Sequence, residues 1–397
     1  MRTTILSWRL FLGVLASAAF ALCGANTAVR AAVDSGDIAV KAPQAIVMDA
    51  ETGAVLYQRA ADELIEPASM SKLMVLEIAF KALKAGEIKL DTQFLMSEYA
   101  WRTGGAPSGG AAMFVPLGTK ATVEELLKGI IVQSGNDAAI AIAENMGGTE
   151  QLFAKLMTEE ARRLGLAKAV FKNATGLPNP EHLMTVREIA LLSRYIIKTY
   201  PEYYPLFAQR EFPYRKHKFI NRNPLLGAVE GVDGLKTGFT KEAGYGLAAS
   251  AKRDDRRLIV VVSGCATAEE RKDDTRRLLE WGFRSFSEVK LFDAGEVVGH
   301  ARVWGGDRFY VPLTGKGEVD VVLPRFPANQ KVSARIYYKA PLKPPLKKGE
   351  QVATLRVTTS SEATNEVPLY VAEDIEPGGV MRRGLDSLWY LATGWMP

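Results

Sequence analysis

Three short segments carry residue types that could act together on a carbonyl carbon. The first is Ser69-Met70-Ser71-Lys72. A serine hydroxyl is a poor nucleophile until a base takes its proton, and a lysine shielded from water has its pKa lowered far enough to be that base. Residues three apart on a helix share a face, so Ser69 and Lys72 meet if a helix opens here. Pro67 predicts such a helix, running through about Leu83. Its N-terminus would bring backbone donors and positive potential to a developing oxyanion. The second segment, Ser134-Gly135-Asn136, falls in a break between two helical patterns. A glycine-containing turn there would project a proton-relaying hydroxyl and a peptide-binding amide into a cleft. The third, Lys236-Thr237-Gly238, falls on a short predicted strand. Its lysine and hydroxyl can bind a carboxylate, and its glycine lets a substrate backbone lie close. Taken singly, each segment is also what a helix cap, a turn or a strand end would show. Taken together, in this order and these settings, they describe a serine acyl-transfer site.

Other chemistries find less support. The histidines are His182, His217 and His300, isolated from one another, and no paired-His or clustered-Cys spacing occurs. No metal or other cofactor is therefore expected. Each histidine is expected on an exposed loop or as a satisfied surface residue.

The elements that must hold the three segments can be read from periodicity. Ala45 to Gln58 reads as a hairpin turning at Glu51-Thr52-Gly53. Helices follow at Val123 to Val132, Asp137 to Met146, Glu150 to Leu164 and Thr185 to Thr199. Strands return at Gly234 to Thr240, Tyr245 to Ala251 and Leu258 to Ser263, and a helix at Thr275 to Phe286 closes this half. Strands at both ends with helices between predict one sheet built from both ends of the domain, in an α+β or mixed α/β fold. From Lys290 to Val371 short apolar runs alternate with Gly, Pro and charge, which reads as a small all-β domain.

The ends differ from the rest. Arg2 and Arg9, the apolar run Leu10 to Ala21 and the small-residue site Val29-Arg30-Ala31 form a secretory leader cleaved after Ala31. The leader carries three arginines and no acid out of a formal net charge of +5. The mature chain is then only slightly basic, and no nucleic-acid partner is expected. Cys265 would be the one cysteine left, without an internal disulfide, and reads as a buried small hydrophobe. Near the C-terminus Leu385, Leu388, Trp389, Leu391, Ala392 and Trp395 fall on one helical face, with Arg382 and Arg383 before it. That pattern suits a helix lying in a membrane interface.

The three segments match the signature of penicillin-binding proteins and serine β-lactamases. Pro67 to Lys72, Gln133 to Ala138 and Val232 to Gly238 resemble the low-molecular-mass D-alanyl-D-alanine carboxypeptidases, as do Asn221-Arg222-Asn223-Pro224-Leu225-Leu226 and Glu280-Trp281-Gly282-Phe283-Arg284. The resemblance implies a transpeptidase-like α/β fold with a mixed-order sheet flanked by helices. It implies a leader at 1–31, a peptidase domain at 32–286, a β-rich domain at 287–376 and an amphipathic anchor helix at 377–397. Ser69 would be acylated by the penultimate D-alanine of a peptidoglycan stem peptide, Lys72 would be the base, and Ser134 would pass the proton to the leaving D-alanine. Asn136 would hold the acyl chain. The backbone N–H groups of Ser69 and Phe239 would form the oxyanion hole, and Lys236, Thr237, Gly238 and Arg271 would hold the terminal carboxylate region. β-Lactams would be trapped as acyl-enzymes. The enzyme would be exported and held at the outer face of the cytoplasmic membrane by its last helix. Phe239 stands where some relatives carry a histidine after Lys-Thr-Gly, which removes any side-chain role there. A β-lactamase would need a carboxylate to activate the deacylating water; Glu181 and Glu188 lie in the right region but in a different setting. A DD-endopeptidase acting on crosslinks and a non-catalytic wall-binding scaffold are the remaining alternatives.

Overall fold

Leu258 to Val262 is apolar at every position, and all five residues are fully buried. A strand with no polar side must be covered on both faces. It forms the middle of a five-stranded sheet. The strands are β1 (Gln44–Asp49), β2 (Val55–Arg59), β3 (Val232–Thr240), β4 (Gly244–Arg253) and β5 (Arg256–Cys265). Their order is β2-β1-β5-β4-β3, and every pairing is antiparallel. The sheet is thus built from both ends of its domain, as the sequence predicts, with β3 at an edge. The computed structural model describes residues 2–4, 38–325, 331–359, 364–380 and 384. Among these, the residues up to 284, without 2–4, form one compact unit, and those from 285 onward with 2–4 form another.

Ile46, Met48, Ile259 and Val261 point into the helical layer. That layer centres on α1 (Lys72–Ala85), whose Leu73, Met74, Val75 and Leu76 are all fully buried. Around it lie α2 (Asn136–Gly147), α3 (Glu150–Arg163) and α4 (Val186–Thr199). The other face of the sheet is covered by α5 (Ala268–Ser285). A Cβ on Gly282 of α5 would lie 2.7 Å from Leu258 Cδ1, so glycine lets helix and strand meet.

Three departures from the predicted elements shape the site. Ser69 lies in a 3-10 turn, Ala68–Ser71, ahead of α1. Ala68 has φ of +48°, outside the helical region, so the α-helix cannot start at Pro67. The predicted helix 123–132 is a short α-helix, Val123–Lys128, continued by a π turn, Gly129–Gln133. The last helix begins seven residues earlier than its apolar spacing suggests. Thr267 Oγ1 accepts from Glu270 N at 3.1 Å, and the acidic first turn suits the helix dipole.

From Phe286 to Val371 the second unit is all-β among its described residues. Its larger sheet runs Arg2–Thr4, Val332–Tyr338, Gln351–Thr359, Thr364–Val371, Tyr310–Thr314, Val297–Arg302, and a separate pair joins Phe286–Phe292 to Val319–Pro324. Val303, Val311, Leu313, Leu355 and Leu369 centre its core. The rest of the expected leader, and all of the expected terminal helix except residues 377–380 and 384, lie outside the described residues. Among the described residues no helix is long and apolar enough to cross a membrane.

Cys265 is buried and free, as expected. His182 is not the surface residue its type suggests. It is buried against Phe171 at a ring distance of 5.4 Å, and its Nδ1 accepts from Lys172 N at 3.3 Å. Burial, with the charge of Lys72 added, pushes its pKa down to about 4. An unfolded histidine takes its proton near about 6.5. Between those values the unfolded chain binds more protons than the folded one, so stability falls as pH drops through that window, by up to about 3 kcal/mol. His182→Gln is expected to flatten the dependence of Tm on pH from 6.5 to 4; a slope equal to that of the wild type would assign the acid sensitivity to another group.

Candidate active site

The 3-10 turn and the first residue of α1 bring Ser69 and Lys72 together: Lys72 Nζ lies 2.8 Å from Ser69 Oγ. The same ammonium donates to Asn136 Oδ1 at 2.8 Å and to the Thr175 carbonyl at 2.5 Å, so its three protons have three acceptors. Lys72 is fully buried. Burial lowers its pKa to about 7, with the nearby Arg222 charge adding to the shift, while Asp137 and Glu150 pull the other way. A large fraction of this lysine is therefore neutral near pH 7 and able to take a proton from Ser69.

The turn that holds Ser69 is wedged from two sides. A Cβ on Gly176 would lie 2.0 Å from the Ala68 carbonyl oxygen, and Gly176 itself has φ of +76°. A Cβ on Gly238 would lie 3.0 Å from the Pro67 carbonyl oxygen. Glycine at both places lets the Thr175 loop and strand β3 press against the nucleophile turn. Met70 is buried beneath, where it fills the space left by Gly246 of β4.

Ser134 ends the π turn at φ of +63°, a conformation that turns its side chain out of the helix path. Its Oγ is buried and has no hydrogen-bond partner among the described residues. Asn136 opens α2, and its backbone N–H donates to the Ala111 carbonyl at 2.7 Å. Asp137, next in the chain, accepts from Met113 N at 2.8 Å and Ala138 N at 2.9 Å, which fixes the turn against segment 111–115.

On β3, Lys236 is buried and its Nζ donates to the Thr237 carbonyl at 3.1 Å. Its pKa is held well below the usual lysine value by burial and by the charges of Lys72, Arg222 and Arg271. Phe239 is 50% exposed and packs tilted against Tyr245 with ring centroids 4.2 Å apart. Arg271 looks in the sequence like part of a solvated charge run. It lies in the first turn of α5, with its guanidinium carbon 5.6 Å from the Tyr245 ring centroid and its buried Nε without a partner among the described residues.

These groups border one cleft of about 530 Å³. Ser69, Ser134, Asn136, Thr237, Gly238, Phe239 and Arg271 line it, and Lys72 and Lys236 are buried beside it. Arg222, to which its spacing in the sequence assigns no chemistry, lines it too. The one signal it leaves in the sequence is its place in the Asn221 to Leu226 segment. Among the described residues no carboxylate lines the cleft, so its field favours an anionic ligand. Glu181 pairs with Lys172 at 3.1 Å, and Glu188 caps α4 through Thr185, so neither carboxylate of the expected region faces the cleft. No metal-binding cluster occurs among the described residues.

Comparison with known proteins gives this geometry a family. Residues 27–267 match the peptidase S11 model, D-alanyl-D-alanine carboxypeptidase, and residues 286–377 match the penicillin-binding protein 5 C-terminal domain. The chain is 38% identical over 386 residues to the D-alanyl-D-alanine carboxypeptidase DacC of Escherichia coli, covering 96% of each. Penicillin-binding protein 5 of Haemophilus influenzae superposes with a TM-score of 0.75 at 32% identity, over 85% of this chain and 98% of that one. Penicillin-binding protein D2 of Listeria monocytogenes, in its ampicillin-bound form, superposes with a TM-score of 0.54 at 32% identity, over 62% and 99%. The two-part architecture and the coverage of almost the whole chain leave one assignment: the protein belongs to the S11 family of serine-type D-alanyl-D-alanine carboxypeptidases, penicillin-binding proteins that act on the cell wall.

Proposed function

We propose that this carboxypeptidase works through a Ser69 acyl-enzyme, and that the observation carrying the assignment is the 2.8 Å contact between Ser69 Oγ and a buried Lys72. A stem pentapeptide ending in D-Ala-D-Ala enters the cleft with its terminal carboxylate toward the cations. Arg271, Lys236 and Thr237 hold that carboxylate, and Arg222 adds to the field. Neutral Lys72 takes the Ser69 proton as Oγ attacks the penultimate carbonyl. The Ser69 and Phe239 backbone N–H groups stabilise the oxyanion. The proton then reaches the leaving D-alanine nitrogen through Ser134, whose buried hydroxyl has no competing partner among the described residues. Asn136 Oδ1 is engaged by Lys72, which leaves its Nδ2 to hold the acyl chain; Gly110 keeps that side open, since a Cβ there would lie 3.2 Å from Nδ2. Water then hydrolyses the ester. A β-lactam, entering the same cleft, stops at the acyl stage. Phe239 contributes its backbone and, with Tyr245, an apolar rim.

The compact units and family matches support a peptidase domain at 32–286 and a β-rich domain at 287–376. The leader pattern at 1–31 and the amphipathic pattern within 377–397 support export and peripheral attachment to the outer face of the cytoplasmic membrane.

Three outcomes are expected. Purified mature protein releases D-alanine from a pentapeptide ending in D-Ala-D-Ala, and Ser69→Ala reduces that rate below about a thousandth of wild type. Covalent labelling of Ser69→Ala by a fluorescent penicillin would refute the assignment of the nucleophile. The acylation rate with penicillin rises with pH through about 7, because the base acts only when Lys72 is neutral; a flat profile from pH 5.5 to 8.5 would remove Lys72 from that role. Deleting residues 380–397 yields an active enzyme that no longer sediments with phospholipid vesicles, whereas sedimentation equal to the full chain would exclude the terminal helix as anchor.

A further inference from the structure

The cleft has two walls, one carrying Ser134 and the other Lys236, on segments a hundred residues apart in sequence. Residues 221–225 bond to both. Arg222 N donates to the Val132 carbonyl at 3.2 Å, two residues before Ser134. Asn223 Nδ2 donates to the Gly234 carbonyl at 2.8 Å, two residues before Lys236. Asn223 is buried, and each of its polar groups has a fixed task. Its Oδ1 accepts from Leu225 N at 3.0 Å, and its backbone N–H donates to Asn221 Oδ1 at 3.0 Å. Asn221 is tied in turn to the Gln209 carbonyl at 2.8 Å. Pro224 comes next and confines Asn223 to extended backbone.

Gly234 is the right atom to hold. It sits at the irregularity between Val232 and Gly234 in the pairing of β3 with β4, on the edge strand. A bulge re-aims the residues after it, so the carbonyl at the bulge sets the direction of Lys236. On the residue before, Asp233 is clamped by Arg257 at 2.7 Å through both oxygens and by Tyr204 Oη at 2.8 Å. Asp233 is fixed by its side chain and the residues after Gly234 by pairing with β4, and Asn223 is the side chain that holds the Gly234 carbonyl where the two meet.

We propose that Asn223 is a positioning residue for the reaction: through adjacent backbone and side-chain bonds it sets the distance between Ser134 and Lys236. It rests on the proposed roles of Ser134 in proton delivery and Lys236 in carboxylate binding. The amide is required chemically. Gly234 offers an acceptor and Leu225 a donor, so the side chain must accept on one atom and donate on the other. A carboxylate at this position still accepts from Leu225 N but puts a second acceptor against the Gly234 carbonyl. A protonated carboxyl restores the donor.

The test uses that difference. Asn223→Asp and Asn223→Ala are compared with the wild type for D-alanine release at saturating pentapeptide, from pH 5 to 8. Rates are expressed per active site counted by stoichiometric labelling with fluorescent penicillin, so that unfolded protein drops out. At pH 8, kcat per site is expected to fall on the order of tenfold to a hundredfold in both variants. Burial raises the pKa of the introduced carboxyl, so the ratio of Asn223→Asp to wild type climbs as pH falls toward 5, while the ratio for Asn223→Ala stays flat. A pH-independent ratio for Asn223→Asp, or wild-type kcat per site in either variant, overturns the proposal. Should Asn223→Asp not fold, Asn223→Ala alone decides: wild-type kcat per site overturns the proposal and a loss sustains it. Ser134→Ala and Lys236→Ala are run alongside. Full activity in both refutes the underlying site assignment, a result separate from any outcome at Asn223.

Discussion

An ammonium group buried from water and held by neutral acceptors is the constraint around which this enzyme is arranged. Lys72 survives burial because three acceptors from three parts of the chain meet it: Ser69 on its own turn, Asn136 at the start of α2, and the Thr175 carbonyl from the loop after α3. Neutral acceptors satisfy the protons without strongly stabilising the charge, so desolvation prevails and the pKa falls toward 7. A carboxylate in place of any one of them would have restored an ordinary lysine. Asp137 and Glu150 are near enough to pull the other way, yet both are occupied with backbone donors, Asp137 with Met113 and Ala138 and Glu150 with Ala174. Their negative charge is directed into holding the loops that carry the acceptors.

The glycines serve the same arrangement. Gly176 and Gly238 allow backbone to approach the Ser69 turn from two directions at distances that no side chain permits. Ala68, beside the nucleophile, and Ser134, on the cleft wall, both hold positive φ. Strained backbone of this kind persists only where surrounding structure over-determines it. Here that structure is the packing of α1 in the core and the bonds of segments 111–115, 171–177 and 221–225. Rigidity at the cleft is thus a product of loops, fixed by buried polar side chains, more than of the sheet and helices alone.

That distinction explains what can be read without coordinates. The β1–β2 hairpin, strands β3 to β5 and helices α2 to α4 follow from apolar spacing, because each buries one continuous surface. The pairing of Ser69 with Lys72 follows from a spacing of three. The Thr175 carbonyl cannot be inferred, since a backbone atom leaves no mark in residue type. Arg271 is hidden in the run Glu269 to Asp274, which polarity alone assigns to solvent; only the early start of α5 turns it toward Tyr245. His182 departs from expectation for a related reason. A histidine's mean preference for the surface says nothing about a loop folded back over Phe171. Polar groups placed by tertiary closure are where residue-level reasoning ends, and they are concentrated at this site.

The charge distribution of the cleft also bears on the step after acylation. Glu181 and Glu188, the nearest candidates in sequence for a water-activating carboxylate, are spent on Lys172 and on capping α4, and neither borders the cleft. On the proposed mechanism the deacylating water must then lose its proton to Lys72 itself, the group that served Ser69. That sharing suits a peptide substrate, whose first product departs and leaves room for water. On the same mechanism a β-lactam would keep its leaving nitrogen tethered near Ser134. The tether would obstruct the approach of water, and no carboxylate among the described residues of the cleft lining is there to activate it. On that mechanism, slow release of β-lactams and turnover of D-alanyl peptides would both follow from one feature, a cleft lined by arginines with no carboxylate among its described residues.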